Sequence, residues 1–286
     1  MKKVGKIMLV AFVVIIVTIF LVSMISSAVF NYKVGKEIDV FLEKQKEVEV
    51  ATIPMEKLGH LPDPVQKWLV TSGILDREMA YFARSKQTAF VRLDQNQENW
   101  MPLEADQYFT VKEPGFLWKA KFKIAPFLHI AGRDLYDNGT GHMLIKFQSF
   151  FTVADATGYE IDQGTLIRYL AEIVWVPSAA LQDYITWEAI DETSVKATMS
   201  FQNISASGVF TFDEEGNPIH FIADRYGEFD GNFIKKPWSI EMYDHQFIDG
   251  YKVPTKAKIT WKLDNGDYTW YVLELEDLEY NKLEKY

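Results

Sequence analysis

The sequence predicts a mainly β fold: a large curved antiparallel sheet, half-barrel or barrel, plugged by one or two short helices and led by a transmembrane helix. Three observations predict it. Apolar and polar residues alternate with period two over much of the chain beyond Arg84, as strands with one dry and one wet face require. Turn signals separate those stretches: Asp137-Asn138-Gly139, Glu215-Gly216-Asn217-Pro218, Asp230-Gly231-Asn232, Asp249-Gly250 and Asp264-Asn265-Gly266-Asp267. The run Ile7 to Phe30 contains no charge at all.

That run would make a helix roughly 36 Å long, enough to cross a hydrocarbon core of about 30 Å. Lys2, Lys3 and Lys6 precede it, so the positive-inside rule places residues 1–6 in the cytoplasm and the remainder outside. Ser26 and Ala28 also fit a signal-peptide cleavage site, which would release the protein. The apolar run is longer than the usual signal core, which favours a retained single-pass anchor. Either outcome exports the domain.

Residues 31–60 are expected to form a stalk. Ile38, Phe41, Leu42 and Val48 make an apolar stripe among Lys and Glu, compatible with a marginal helix or with a solvated tether. A better-marked helix begins at Asp63, read as the N-cap, with Pro64 at the first helical position and Gln66 in capping-box spacing. Val65, Trp68 and Leu69 share one face, and Gly73 is placed to end it.

The remaining residues, 61–286, read as one β-rich domain of roughly ten strands. Phe116, Trp118, Ala120, Phe122 and Ile124 alternate with polar residues, as do Val195, Ala197, Met199 and Phe201, and Ala257, Ile259, Trp261 and Leu263. One helix interrupts them near 165–174, with Ile167, Leu170, Ala171 and Val174 as its stripe and Pro177 as its stop. So many half-apolar strands with so few covering helices cannot stay flat, because the exposed apolar patch would be too large. The sheet must bend around its own apolar side.

Composition limits the function. Aromatics make up 15% of the residues, including 20 Phe and 8 Trp, which suits strands and apolar sites. Net charge is −10, and with three lysines the only charges before Asn31 the remainder of the chain carries −13. Such a surface is a poor nucleic-acid binder. With 0 cysteines, thiolate metal sites, cysteine nucleophiles and lipid-modified cysteines are excluded. The 5 histidines lack zinc-site spacing, and no cofactor or nucleophile motif occurs. Asn138-Gly139-Thr140-Gly141 reads as a hairpin turn.

Arg168 and Glu172 stand four apart on the predicted helix. They are either an exposed ion pair or a polar pair facing a cavity mouth. Arg133-Asp134 before Tyr136, and Asp224-Arg225, stand at strand ends. Candidate ligand-binding residues are therefore Phe116, Trp118, Phe122, Tyr136, Arg168 and Glu172.

Pro64-Val65 with Trp68-Leu69, Gly132-Arg133-Asp134-Leu135-Tyr136, Gly139 and Gly141, Arg168-Tyr169-Leu170-Ala171-Glu172 with Pro177, Trp187, Phe212-Asp213 and Ala223-Asp224-Arg225 recur in a bacterial family of membrane-anchored proteins. The chain resembles that family, domain of unknown function 6544, over roughly residues 60–280. Its outline is similar to the lipoprotein-carrier half-barrels, which bind acyl chains in the curve of a sheet. The family carries no assigned activity; the curved, half-apolar sheet itself leads to the expectation of a membrane-anchored extracytoplasmic binding protein for a lipid-like or other apolar ligand, with no metal or cofactor. The alternatives are a cell-envelope scaffold with a filled core, or a glycan hydrolase using paired carboxylates.

Overall fold

The computed structural model describes residues 2–48 and 51–286. Met1, in the expected cytoplasmic tip, and residues 49–50, in the expected stalk, lie outside the described residues.

Helix α1 runs without a break over Lys2–Gln45. Its first turns, up to about Ile19, project from the domain, and among the described residues it is the one helix long and apolar enough to cross a membrane. Its second half changes character, because Phe30, Val34, Ile38, Phe41 and Leu42 recur at helical spacing and are buried. They pack on Phe82, Tyr108, Leu117 and Ala131 of the sheet's outer face. Polar ties frame the contact. Arg133 Nε lies 3.1 Å from Glu37, and Lys44 reaches Asp137 at 2.8 Å.

Helix α2 spans Asp63–Thr71. Pro62 rather than Asp63 occupies its N-cap, with no side-chain cap, and Gln66 donates to the Leu61 carbonyl at 2.8 Å. Prolines on both sides of Asp63 fix the chain's approach without a capping box. Gly73 ends the helix with φ +77°, as its position in the sequence predicts.

Thirteen strands follow, more than the ten expected. They are β1 (Phe82–Val91), β2 (Met101–Thr110), β3 (Gly115–Ala125), β4 (Leu128–Asp137), β5 (Thr140–Phe147) and β6 (Phe151–Ala156), then β7 (Ile185–Ala189), β8 (Ser194–Phe201), β9 (Ile204–Phe212), β10 (Pro218–Phe229), β11 (Asn232–Ile248), β12 (Tyr251–Leu263) and β13 (Gly266–Tyr280). The hairpin turns fall where the sequence puts them. Asn138 and Gly139 both have positive φ, the conformation of a type I′ turn.

The strands form a single sheet in the order β6-β5-β4-β3-β2-β1-β13-β12-β11-β10-β9-β8-β7, and every pairing is antiparallel. The first and last strands meet in the middle, so the two edges belong to β6 and β7. Between them in sequence lies helix α3 (Tyr159–Glu172), continued by 3-10 turns at Ile173–Trp175 and Pro177–Leu181. The chain leaves one edge, crosses as a helix and re-enters at the other. Asp162 Oδ1 accepts from Gly141 N of β5 at 2.6 Å, and Arg225 Nε of β10 donates to the Gly164 carbonyl at 3.0 Å. A Cβ at Gly141 would lie 2.4 Å from Thr165 Oγ1, so glycine is what admits the helix.

The result is the expected curled half-barrel with its helical plug. Helix α3 starts six residues before the predicted Thr165, because its first turn is exposed or half-buried and carries no apolar stripe to read.

Candidate functional site: a cavity in the curve of the sheet

Inward-facing positions fill the concave side. At one end, three donors are matched to backbone carbonyls. Trp175 Nε1 donates to the Pro254 carbonyl at 2.8 Å, Tyr280 donates to Trp175 O at 2.8 Å, and Tyr169 donates to Thr110 O at 2.8 Å.

Next to this plug, filling stops. A cavity of about 240 Å³ opens between α3 and the strands, walled by Trp118, Phe122, Met143, Ile145, Trp238, Ile240, Met242, Ile259 and Leu273. Trp270 and Tyr271 both reach it although they are sequence neighbours. A register shift between β12 and β13 at this level is a bulge, which lets adjacent residues share one face.

The polar members of the wall form two groups. Arg168 is the centre of the first: its Nη1 lies 2.7 Å from Asp134 and its Nε 2.9 Å from Glu172. Glu172 also accepts from Gln107 Nε2 at 2.7 Å. The Arg168 guanidinium lies over the rings of Phe116 and Trp118, 4.7 and 5.1 Å from their centroids. Burial raises the Glu172 carboxyl above its ordinary range, with Arg168 opposing. Burial works against the Arg168 charge too, but Glu172 and Asp134 outweigh it and its affinity for the proton rises. Since both carboxylates are bound to the same guanidinium, neither stands free as a general acid or base.

Arg225 is the second group. It lies 4.9 Å from the Trp238 ring centroid and 5.8 Å from that of Trp261. Among the described residues it forms no ion pair. Burial, reinforced by repulsion from Arg168, lowers its pKa to about 10. Three cavity-wall indoles, Trp118, Trp238 and Trp270, have buried Nε1 atoms with no acceptor among the described residues. Three indole donors without partners thus converge on an apolar chamber, beside an arginine whose Nε is bonded to the Gly164 carbonyl and which has no ion pair among the described residues.

Of the six candidate residues, Trp118, Phe122, Arg168 and Glu172 line the cavity. Phe116 and Tyr136 do not. They face each other across β3 and β4, are fully buried with ring centroids 6.4 Å apart, and form the packing behind the wall. The Arg168–Glu172 pair is not exposed: its side chains retain 15% and 13% of their accessibility, because α3 is buried on nearly all sides.

Sequence reading missed Gln107, Trp238, Trp270 and Tyr271, and left Asp134 and Arg225 as strand-end groups. A signal did exist. Arg225 shares the inward parity of Phe221 and Ala223, and Gln107 that of Ala105 and Phe109. A polar residue at an apolar-face position marks the site.

A wider groove of about 420 Å³ lies outside, between α1 and the sheet, lined by Lys86, Lys119, Lys121, Glu104 and Asp106 among others. Its charges are interleaved and solvated, so it lacks the unmet donors of the inner chamber.

The family model described as a family of unknown function, DUF6920, matches residues 59–280. The chain belongs to the DUF6920 family. The number 6544 suggested by the motifs is not confirmed by this match. No curated protein matches the chain.

Solved structures similar to this DUF6920 member include a LolA superfamily protein from Nitrosomonas europaea, at 10% identity and TM-score 0.44, covering 77% of this chain and 94% of that one. A porin-like protein from Bacteroides uniformis has 10% identity and TM-score 0.26, covering 69% and 98%. A β-barrel-like protein of domain of unknown function DUF1849 from Brucella abortus has 8% identity and TM-score 0.28, covering 71% and 99%. Scores this low carry no argument about function.

Proposed function

We propose that this protein is a membrane-anchored, extracytoplasmic binding protein whose half-barrel holds a lipid-like molecule. The apolar part of the ligand lies among Phe122, Ile145, Met242 and Ile259, and its acceptor-bearing end meets Arg225 and the indole N–H groups. One observation carries the reading: three buried indole donors and an arginine without an ion pair converge in an otherwise apolar chamber. Buried donors are almost always matched in folded proteins, and binding sites combine apolar walls with a few convergent polar groups. A ligand with acceptor atoms matches both requirements. At about 240 Å³ the chamber suits one chain or a small ring system. Helix α1 supplies the anchor, with its lysines on the cytoplasmic side.

Native mass spectrometry of the full chain, extracted from membranes in mild detergent, tests the proposal. The expected result is a co-purifying apolar molecule that is lost from Ala257→Phe, which fills the chamber from β12. Bare protein that takes up no added lipid or fatty acid, with parent and variant alike, would overturn it.

A further inference from the structure

Two hairpin tips stand apart from the rest of the surface. The β3–β4 tip reads Ile124-Ala125-Pro126-Phe127-Leu128, and the β5–β6 tip reads Phe147-Gln148-Ser149-Phe150-Phe151-Thr152-Val153. Neither contains a charge, in a chain that is 24% charged. The turns at 137–139, 213–217 and 249–250 all carry Asp or Glu. The side chains at the two tips also face outward. Phe127 keeps 79% of its accessibility, and Phe150, Phe151 and Val153 each keep more than half.

Both tips lie against helix α1 within its apolar stretch. The Phe127 ring meets Phe20 edge-on, with centroids 6.0 Å apart. Ser23 donates to Gln148 Oε1 at 3.1 Å, and Ser27 reaches Ser149 at 3.2 Å and His129 at 3.3 Å. Gln148 in turn donates to the Phe127 carbonyl at 2.8 Å. The level follows from helix geometry. Phe20 lies about 20 Å along the axis from Ile7 and Ser27 about 30 Å, while the hydrocarbon core is about 30 Å thick. With Lys6 at the near boundary, Ser27 marks the far one and Phe127 lies about 10 Å beneath it.

We infer that the β3–β4 and β5–β6 tips insert into the far leaflet of the membrane that α1 crosses, with Phe127, Phe150 and Phe151 among the acyl chains. The occupant of this apolar patch is lipid, because the helix beside it is already committed to lipid and the nearest charges, Lys146 against Thr152 and Lys123 paired with Glu104, stand at the bases of the tips, where long side chains reach the headgroups. The exposed tips need no anionic headgroups, which the acidic domain would repel. The inference rests on the anchor reading of α1. It also gives the chamber a direction. Trp175 and Tyr169 close the end near Thr110 and Pro254, whereas Phe122 and Ile145 lie on the strands that run to the two tips. A lipid-like ligand would thus meet the chamber from the bilayer side.

The absence of native cysteine allows a direct test. Single-cysteine variants Phe127→Cys, Phe151→Cys and, at the opposite end of the sheet, Phe247→Cys are labelled with an environment-sensitive fluorophore. The full chain is then placed in neutral phosphatidylcholine vesicles. The expected result is that the labels at 127 and 151 emit to the blue and are quenched by nitroxide-bearing lipids, while the label at 247 is quenched by aqueous iodide. Equal iodide quenching at all three positions would overturn the inference. Carbonate extraction of the same vesicles reports separately on α1: a chain that stays with the membrane while its tips remain aqueous refutes tip insertion alone, and a chain that washes off refutes the anchor.

Discussion

The plug and the chamber lie side by side on one concave surface, and both are rich in aromatic side chains. Their donors are treated differently. At the closed end, where Trp175 and Pro254 complete the chamber wall, the Trp175 indole and the Tyr169 and Tyr280 hydroxyls all reach backbone carbonyls. Around the chamber, the indoles of Trp118, Trp238 and Trp270 reach nothing among the described residues. Unmatched buried polar atoms also occur outside the chamber, at Trp68 Nε1 and the Tyr136 hydroxyl, but only along the chamber do three such donors share one wall among the described residues. The contrast therefore separates the part of the interior that holds the fold together from the part available to a ligand.

The largest expected effect comes from truncating one aromatic in each region. Trp175→Ala removes buried packing and a hydrogen bond, and should cost about 3–5 kcal/mol in urea unfolding. Trp238→Ala enlarges a chamber that is already open and breaks no internal hydrogen bond, so it should fall at or below the lower end of that range. Equal losses would erase the distinction.

The two arginines sharpen it. Arg168→Met strands Asp134 and Glu172 without their counter-charge, a loss of about 3–5 kcal/mol. Arg225→Met strands no carboxylate and leaves only the Gly164 carbonyl without its donor, so it should cost less, about 1–3 kcal/mol. The same change should weaken ligand retention at least about tenfold, the worth of one charge-assisted hydrogen bond. A strongly destabilised Arg225→Met protein would mean that this residue is structural.

The smallest effect is in the pH dependence. Burial holds the Glu172 carboxyl above its ordinary value, against the opposing pull of Arg168. Between the ordinary and the raised value the folded chain keeps a proton that the unfolded chain has released. The Glu172 contribution to stability therefore falls as pH rises through that interval. Glu172→Gln lacks this titration, so its melting temperature relative to the parent should climb with pH across the interval. A flat difference would contradict the shift.

Much of the architecture is legible in the sequence because its signals are local. Alternation in β3, β8 and β12 needs only consecutive residues, and the Asp-Asn-Gly turn before Thr140 announces its own geometry. The curling follows from counting half-apolar strands against covering helices. The chamber is less legible because it is assembled across the chain. Asp134, Arg168 and Arg225 belong to three elements that meet only when α3 spans the gap between β6 and β7. At helical spacing, Arg168 and Glu172 look the same whether they face water or a cavity. The bulge that turns Trp270 and Tyr271 to one side depends on its partner strand, which no single-strand pattern records. Helix α1 beyond Phe30 combines charged residues with an apolar stripe, and only the outer-face residues Phe82, Tyr108 and Leu117 give that stripe a partner.

The most direct test is an experimental density map of the full chain purified from its own membranes without added ligand. Continuous density along the chamber, in contact with Arg225 and the indole nitrogens of Trp118, Trp238 and Trp270, is the predicted result. A chamber that has collapsed, or is filled by the protein's own side chains with those nitrogens paired internally, would contradict it.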